Sequence, residues 1–160
     1  MSKLKLTITL TFLLIVFSAC SKDDDTSNEI YTNEDLKLLH NNASKTWELE
    51  AYYENYDNWI SDQNDCLIDD IYIFKTDNEV EVISGNENCY YGDSEIAEAS
   101  YTFYEKEGGV WLTMTRGKIT DDVVRSTFFK LKLIELEEGR MVFSSGNKSD
   151  YKTALIFVSN

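Results

Sequence analysis

The sequence predicts an all-β fold: an antiparallel up-and-down meander of about eight strands that closes into a small barrel, preceded by one short helix. Three observations carry this. From Lys45 onward polarity alternates with period two, Trp47, Leu49, Ala51 and Tyr53 against Thr46, Glu48, Glu50 and Tyr52. The alternating runs are separated by turn formers, Asp77-Asn78, Gly108-Gly109, Glu138-Gly139 and Gly146-Asn147. None of the 160 residues is proline, so no run loses a ladder donor. Runs joined by short turns pair antiparallel, and about eight such strands form a barrel that is filled by side chains or holds one small ligand.

Residues 1–19 read as an address. Lys3 and Lys5 give a positive start, and Leu6 to Phe17 form an apolar run too short to stay across a bilayer. The run ends in Phe17-Ser18-Ala19-Cys20, which resembles the lipobox of bacterial lipoproteins. That resemblance implies cleavage before Cys20, acylation of its sulfur, and a membrane anchor without a spanning helix. The same residues also fit a plain secretory signal with a chance cysteine.

Residues 20–31 read as an acidic tether and 32–160 as the folded domain. Lys22-Asp23-Asp24-Asp25 resembles the signal that carries some outer-membrane lipoproteins to the cell surface, and it also fits a solvated spacer. Ser21 to Ile30 reaches about 35 Å at most. Removing 19 residues from 160 leaves 141, enough for one domain with a core. Losing Lys3 and Lys5 takes the net charge from −14 to −16. Such a charge excludes nucleic acid and anionic headgroups as charge-driven partners and suits a basic protein partner.

The helix is placed near residue 36. Thr32 and Asp35 form a short capping box, and Leu36, Leu39 and Ala43 share a face. His40 falls on the polar end and reads as a surface residue. After the Lys45 strand comes a hairpin, Ile71-Tyr72-Ile73-Phe74 and Val80-Glu81-Val82-Ile83 around Thr76-Asp77-Asn78. A three-residue turn with Asn78 left-handed puts Tyr72 and Phe74 on one face with Val80 and Val82, leaving Lys75 and Glu81 to solvent. The remaining strands are Ala99–Glu105, Val110–Thr115, Val124–Ile134, Arg140–Ser145 and Lys152–Val158.

Three cysteines, one of them spent on lipid, leave Cys66 and Cys89 as a pair, which in an oxidising compartment reads as a disulfide. The two lie almost symmetrically about Asp77-Asn78. A bulge near Gly85 would bring them opposite each other as a staple at the hairpin's open end.

Trp47-Glu48-Leu49, Cys66 with the run Asp69 to Asp77, Cys89, and Leu131 to Leu136 together resemble the lipocalin-like domains of bacterial outer-membrane lipoproteins, over roughly residues 34–158. The resemblance implies a small antiparallel barrel at the outer membrane, in a family whose members mostly have no assigned activity, and the acidic run adds exposure at the cell surface. Asn78 replaces the usual turn glycine, and Lys45 stands at the glycine of the Gly-x-Trp pattern.

No catalytic constellation is legible and no cofactor is expected. Asp69-Asp70, Asp121-Asp122 and Glu137-Glu138 are adjacent pairs, which on a strand point to opposite faces, and they read as solvated turn acids. His40 is the sole histidine, which argues against a metal centre. Glu54 to Asp65 is rich in oxygens that suit calcium but lacks a known loop spacing.

The aromatics are the candidate site. Tyr52, Tyr53, Tyr56 and Trp59 cluster around the first loop and Tyr90-Tyr91 follow Cys89, so a disulfide could bring both groups to one barrel mouth. Rings there stack on a glycan, line a small hydrophobic pocket, or plug the end. Two functions follow. The first is a surface-anchored barrel binding a small hydrophobic or glycan ligand; the second is a non-catalytic interaction module for a basic protein, as accessory subunit or inhibitor. An aromatic-lined cavity favours the first, and a filled core with an acidic face favours the second.

Overall fold

The computed structural model describes residues 29–54, 57–58, 65–87, 89, 95–119 and 124–160. A helix, α1 (Leu36–His40), precedes β1 (Ser44–Glu54), a two-residue β2 (Asp57–Asn58), β3 (Ile71–Lys75), β4 (Glu79–Ile83), β5 (Glu95–Tyr104), β6 (Gly109–Ile119), β7 (Val124–Glu137), β8 (Arg140–Ser144) and β9 (Ala154–Val158). The strands pair in chain order, all antiparallel, and β1 also pairs with β9. Eight strands thus close into a barrel, and β2 is a short addition to the end of β1. Closure removes the two outer edges that an open meander would expose.

The hairpin register follows the three-residue turn. Phe74 faces Val80 and Tyr72 faces Val82, and Asn78 takes φ 70°, which its short polar side chain tolerates. Lys75 and Glu81 meet outside at 2.9 Å. The ladder nevertheless stops at Ile71 and Ile83, and no strand reaches the cysteines. Cys66 sits in a single 3-10 turn, Asp65–Leu67. Beyond Ile83 the place of a ladder is taken by side chains: Gly85 N–H donates to Asp70 Oδ1 (3.0 Å), and Asn86 and Glu87 N–H donate to Asp69 Oδ2.

One end of the barrel, the lower, carries α1 and the short turns before β4, β6 and β8. Thr32 and Asp35 cap α1 reciprocally: Thr32 N–H reaches Asp35 Oδ2 at 2.7 Å and Asp35 N–H reaches Thr32 Oγ1. Leu36 and Leu39 are buried, but Ala43 is exposed, because the helix has already ended at the left-handed Asn41. Trp47 is fully buried and its Nε1–H donates to Leu39 O at 2.9 Å. Lys45 lies over the Trp47 ring at 4.3 Å and donates to the carbonyls of Leu38 and Glu138. Gly108, at φ 59°, lets Tyr31 N–H bond its carbonyl at 2.8 Å; a Cβ there would strike Ile30.

Two bulges change which side chains face inward. In β1 the pairing with β9 slips by one residue between Leu49 and Ala51. Trp47 and Leu49 face the core, and past the slip it is Tyr52 that does so. Ala51 and Tyr53 turn out. The simple alternation through Tyr53 therefore fails at Glu50, because one extra residue inverts every later side chain. A matching slip in β7 lies between Leu133 and Glu135. Outside the wall between these bulges, Ala51, Val142, Ala154 and Ile156 form a second apolar cluster, covered by Tyr53, Ile134 and Tyr151.

Among the described residues the core is closely packed. Trp47, Tyr72, Phe74, Leu112, Met114, Leu133, Met141, Phe143, Leu155 and Phe157 are all essentially without solvent contact. Phe74 touches the rings of Tyr101, Phe143 and Phe157, and Tyr72 meets Phe157 edge-on.

Candidate functional site

The upper end of the barrel is organised by a charge. Arg116 follows Val110, Leu112 and Met114 on the inward face of β6, and it is 1% exposed. Its guanidinium donates to Asp70 Oδ2 at 2.5 Å and to Cys66 O at 3.0 Å, and it touches Cys89 Sγ at 3.8 Å. Glu95 Oε1 lies 2.9 Å from Arg116 Nε. That contact lacks hydrogen-bond alignment, so Nε and both Glu95 oxygens have no hydrogen bond. One buried cation thus serves two buried carboxylates.

Asp70 also accepts from Gly85 N–H and, at 3.4 Å, from Tyr72 Oη. Burial raises the Asp70 carboxyl above its ordinary range, against the pull of Gly85 N–H and Arg116. Tyr72 is pushed far up by burial first and the Asp70 charge second. The acid pair Asp69-Asp70 is therefore no solvated turn: Asp70 is buried in an ion pair and half-buried Asp69 holds the next loop. His40 is likewise a correction. It is buried, its Nδ1 accepts from Asn42 N–H at 3.1 Å, and burial lowers its pKa.

Cys66 and Cys89 form a disulfide with Cα atoms 5.1 Å apart. It joins the 3-10 turn to the loop after β4, just where Arg116 holds the carbonyl of Cys66. Of the aromatic candidates, Tyr53 packs edge-on against Tyr151 outside the wall, ring centroids 5.4 Å apart. Tyr56, Trp59, Tyr90 and Tyr91 lie outside the described residues, as do Cys20, Asp121, Asp122 and most of Glu54 to Asp65.

A second feature lies in the wall. β5 pairs with β6 along its whole length, Glu95–Tyr104 with Gly109–Lys118. With β4 it pairs only at Glu79–Ser100 and Val80–Ala99. Continuing that register would set Glu81 opposite Glu98, and like charges there oppose pairing. An open cleft of about 540 Å³ occupies this seam, lined by Glu79, Val80, Glu81, Val82, Ala97, Glu98, Ala99, Ser100, Thr113 and Thr115. A smaller cleft, about 340 Å³, lies outside by Tyr53 and Lys148–Tyr151.

The Arg116 cluster is missed by reading adjacent acids, yet one signal was present: Arg116 is in phase with Leu112 and Met114. The seam leaves no sequence signal beyond glutamates on both flanking runs. In comparisons with known proteins, no family model, no curated protein and no solved structure matches the chain. The class defined by fold and site is a small closed antiparallel barrel with a salt-bridged, disulfide-clamped upper end.

Proposed function

We propose that the protein is a lipid-anchored, surface-exposed interaction module that binds a basic protein partner and does no chemistry of its own. The close packing of the core among the described residues carries this reading. Ligand-binding barrels keep room inside, whereas here the inward rings interlock and a buried ion pair occupies the upper end. The clefts described above open on the outside, and the larger is rimmed by Glu79, Glu81 and Glu98. The net charge of −14 supports attraction to a cationic partner.

Anchoring is supported by the Ser18-Ala19-Cys20 pattern, and an oxidising location by the disulfide. Labelling with a clickable fatty acid should mark the wild type and leave Cys20→Ala unmarked. The functional test is cross-linking on intact producing cells, followed by mass spectrometry. A reproducible protein neighbour cross-linked through the barrel's outer face is the expected result. Native mass spectrometry of the purified domain runs beside it: a small molecule that co-purifies and leaves only on unfolding would overturn the reading in favour of a hydrophobic or glycan ligand.

A further inference from the structure

We propose that the seam between β4 and β5 takes an extended basic segment of the partner as an added strand. The inference rests on the interaction reading above and names the place and the recognition mode. Tyr101 N–H bonds Asn78 O at 2.9 Å, so on β5 the odd-numbered residues direct backbone N–H and C=O toward β4. By the same alternation Val80 and Val82 on β4 direct theirs toward β5. The ladder ends at Val80 and Ala99. Val82 and Ala97 therefore turn their backbone donors and acceptors into the cleft, with no ladder partner across it among the described residues. Among the described residues this is one of the places where strand edges stand open, as β7 also does on its β8 side over residues 124–131, and it is the one flanked by glutamates on both strands. An open edge is the template that strand addition uses.

The lining specifies the occupant. Side chains on the barrel's inner side of the seam are small and apolar: Val80, Val82, Ala97 and Ala99. Those on the outer side are Glu79, Glu81, Glu98 and Ser100. Lys75 already serves Glu79 and Glu81, whereas Glu98 is exposed and makes no ion pair among the described residues. A strand laid here meets an apolar row on one face and an acidic row on the other. It must alternate small apolar with basic residues. Among the described residues no ring lines the cleft. The outer row continues from Glu98 through Thr115 to Phe128 by register, and Phe128 is 60% exposed. Aromatic rings of this kind are enriched at protein interfaces.

The probe is a blocked hexapeptide of alternating lysine and valine, titrated by fluorescence anisotropy at low salt. A glutamate–valine version and a version N-methylated on every second residue serve as controls. The lysine peptide should bind. Glu81→Lys with Glu98→Lys should weaken it by at least about tenfold, and Phe128→Ala by several-fold. N-methylation should abolish binding, and amide exchange should slow at Val82 and Ala97 when the peptide is bound. Affinity unchanged by N-methylation or by the double charge reversal would overturn strand addition, as would no binding or protection mapping elsewhere. Self-association lost on Glu81→Lys with Glu98→Lys would make a second copy the occupant and also overturn it. The cell-surface cross-links judge the interaction reading separately: neighbours mapping away from the seam would keep that reading and reject this site.

Discussion

The two ends of the barrel are sealed by different physics. At the lower end Trp47 is buried under α1, its one polar atom bonded to a helix carbonyl, and Lys45 caps its ring while keeping to the surface. Every partner there is neutral or solvated, so the end is held by burial and tolerates graded change. At the upper end Arg116, Asp70 and Glu95 are all out of water, and a disulfide closes over them. Buried ions stabilise only as a set: removing one leaves the others unpaired in a poor solvent. The lower end should thus weaken in proportion to what is removed, and the upper end should fail or survive as a unit.

The largest effect is expected from Arg116→Met, which strands two carboxylates inside. Urea unfolding should show a loss of about 3–5 kcal/mol. Adding Asp70→Asn and Glu95→Gln to that variant should restore most of it; a triple variant as weak as the single would erase the contrast between the ends. Next comes Cys66→Ala with Cys89→Ala. Opening this loop should cost about 3 kcal/mol by the chain-entropy model, with the barrel still folding on its own core. An unchanged midpoint would mean that Arg116 alone holds the two loops.

At the lower end Trp47→Phe keeps most of the packing and leaves Leu39 O without its donor. A loss of about 1–3 kcal/mol is expected, with no rescue by any second charge change. The smallest effect concerns pH. Burial lowers the pKa of His40 in the folded state from 6.5, so the unfolded chain binds the proton more readily. Its contribution is complete above pH 6.5 and is lost as pH falls below it. His40→Asn keeps an acceptor for Asn42 N–H without titrating, so melting curves from pH 7 to 5 should flatten relative to wild type.

The parts of the fold set by neighbours in sequence were legible. Asn78 with two alternating runs defines the hairpin register, and cysteine parity pairs Cys66 with Cys89. The capping box at Thr32 and Asp35 was equally local. What escaped depends on closure. Arg116 and Asp70 are 46 residues apart and meet only once the wall is complete, so Asp69-Asp70 read as surface acids. His40 is covered only because the helix packs back on the barrel. The slip at Glu50 has no glycine or proline to announce it, and one unannounced residue moved Tyr53 from the inner to the outer face. The seam arises from a register that stops short, which composition does not encode.

The pairing of β1 with β9 has a further meaning for how the chain reaches this state. Glu48 lies beside Val158, and Leu49 beside Phe157, across almost the full length of the domain. Contacts of such separation form late, because the loop between them must be closed before any reward is gained. The inward ring of Phe157 is also shared, meeting Tyr72, Phe74 and Phe143. An emerging chain therefore has hairpins but no finished wall until its last strand is free. Folding should come as one slow, concerted step after synthesis, on the millisecond-to-second scale of non-local β topologies.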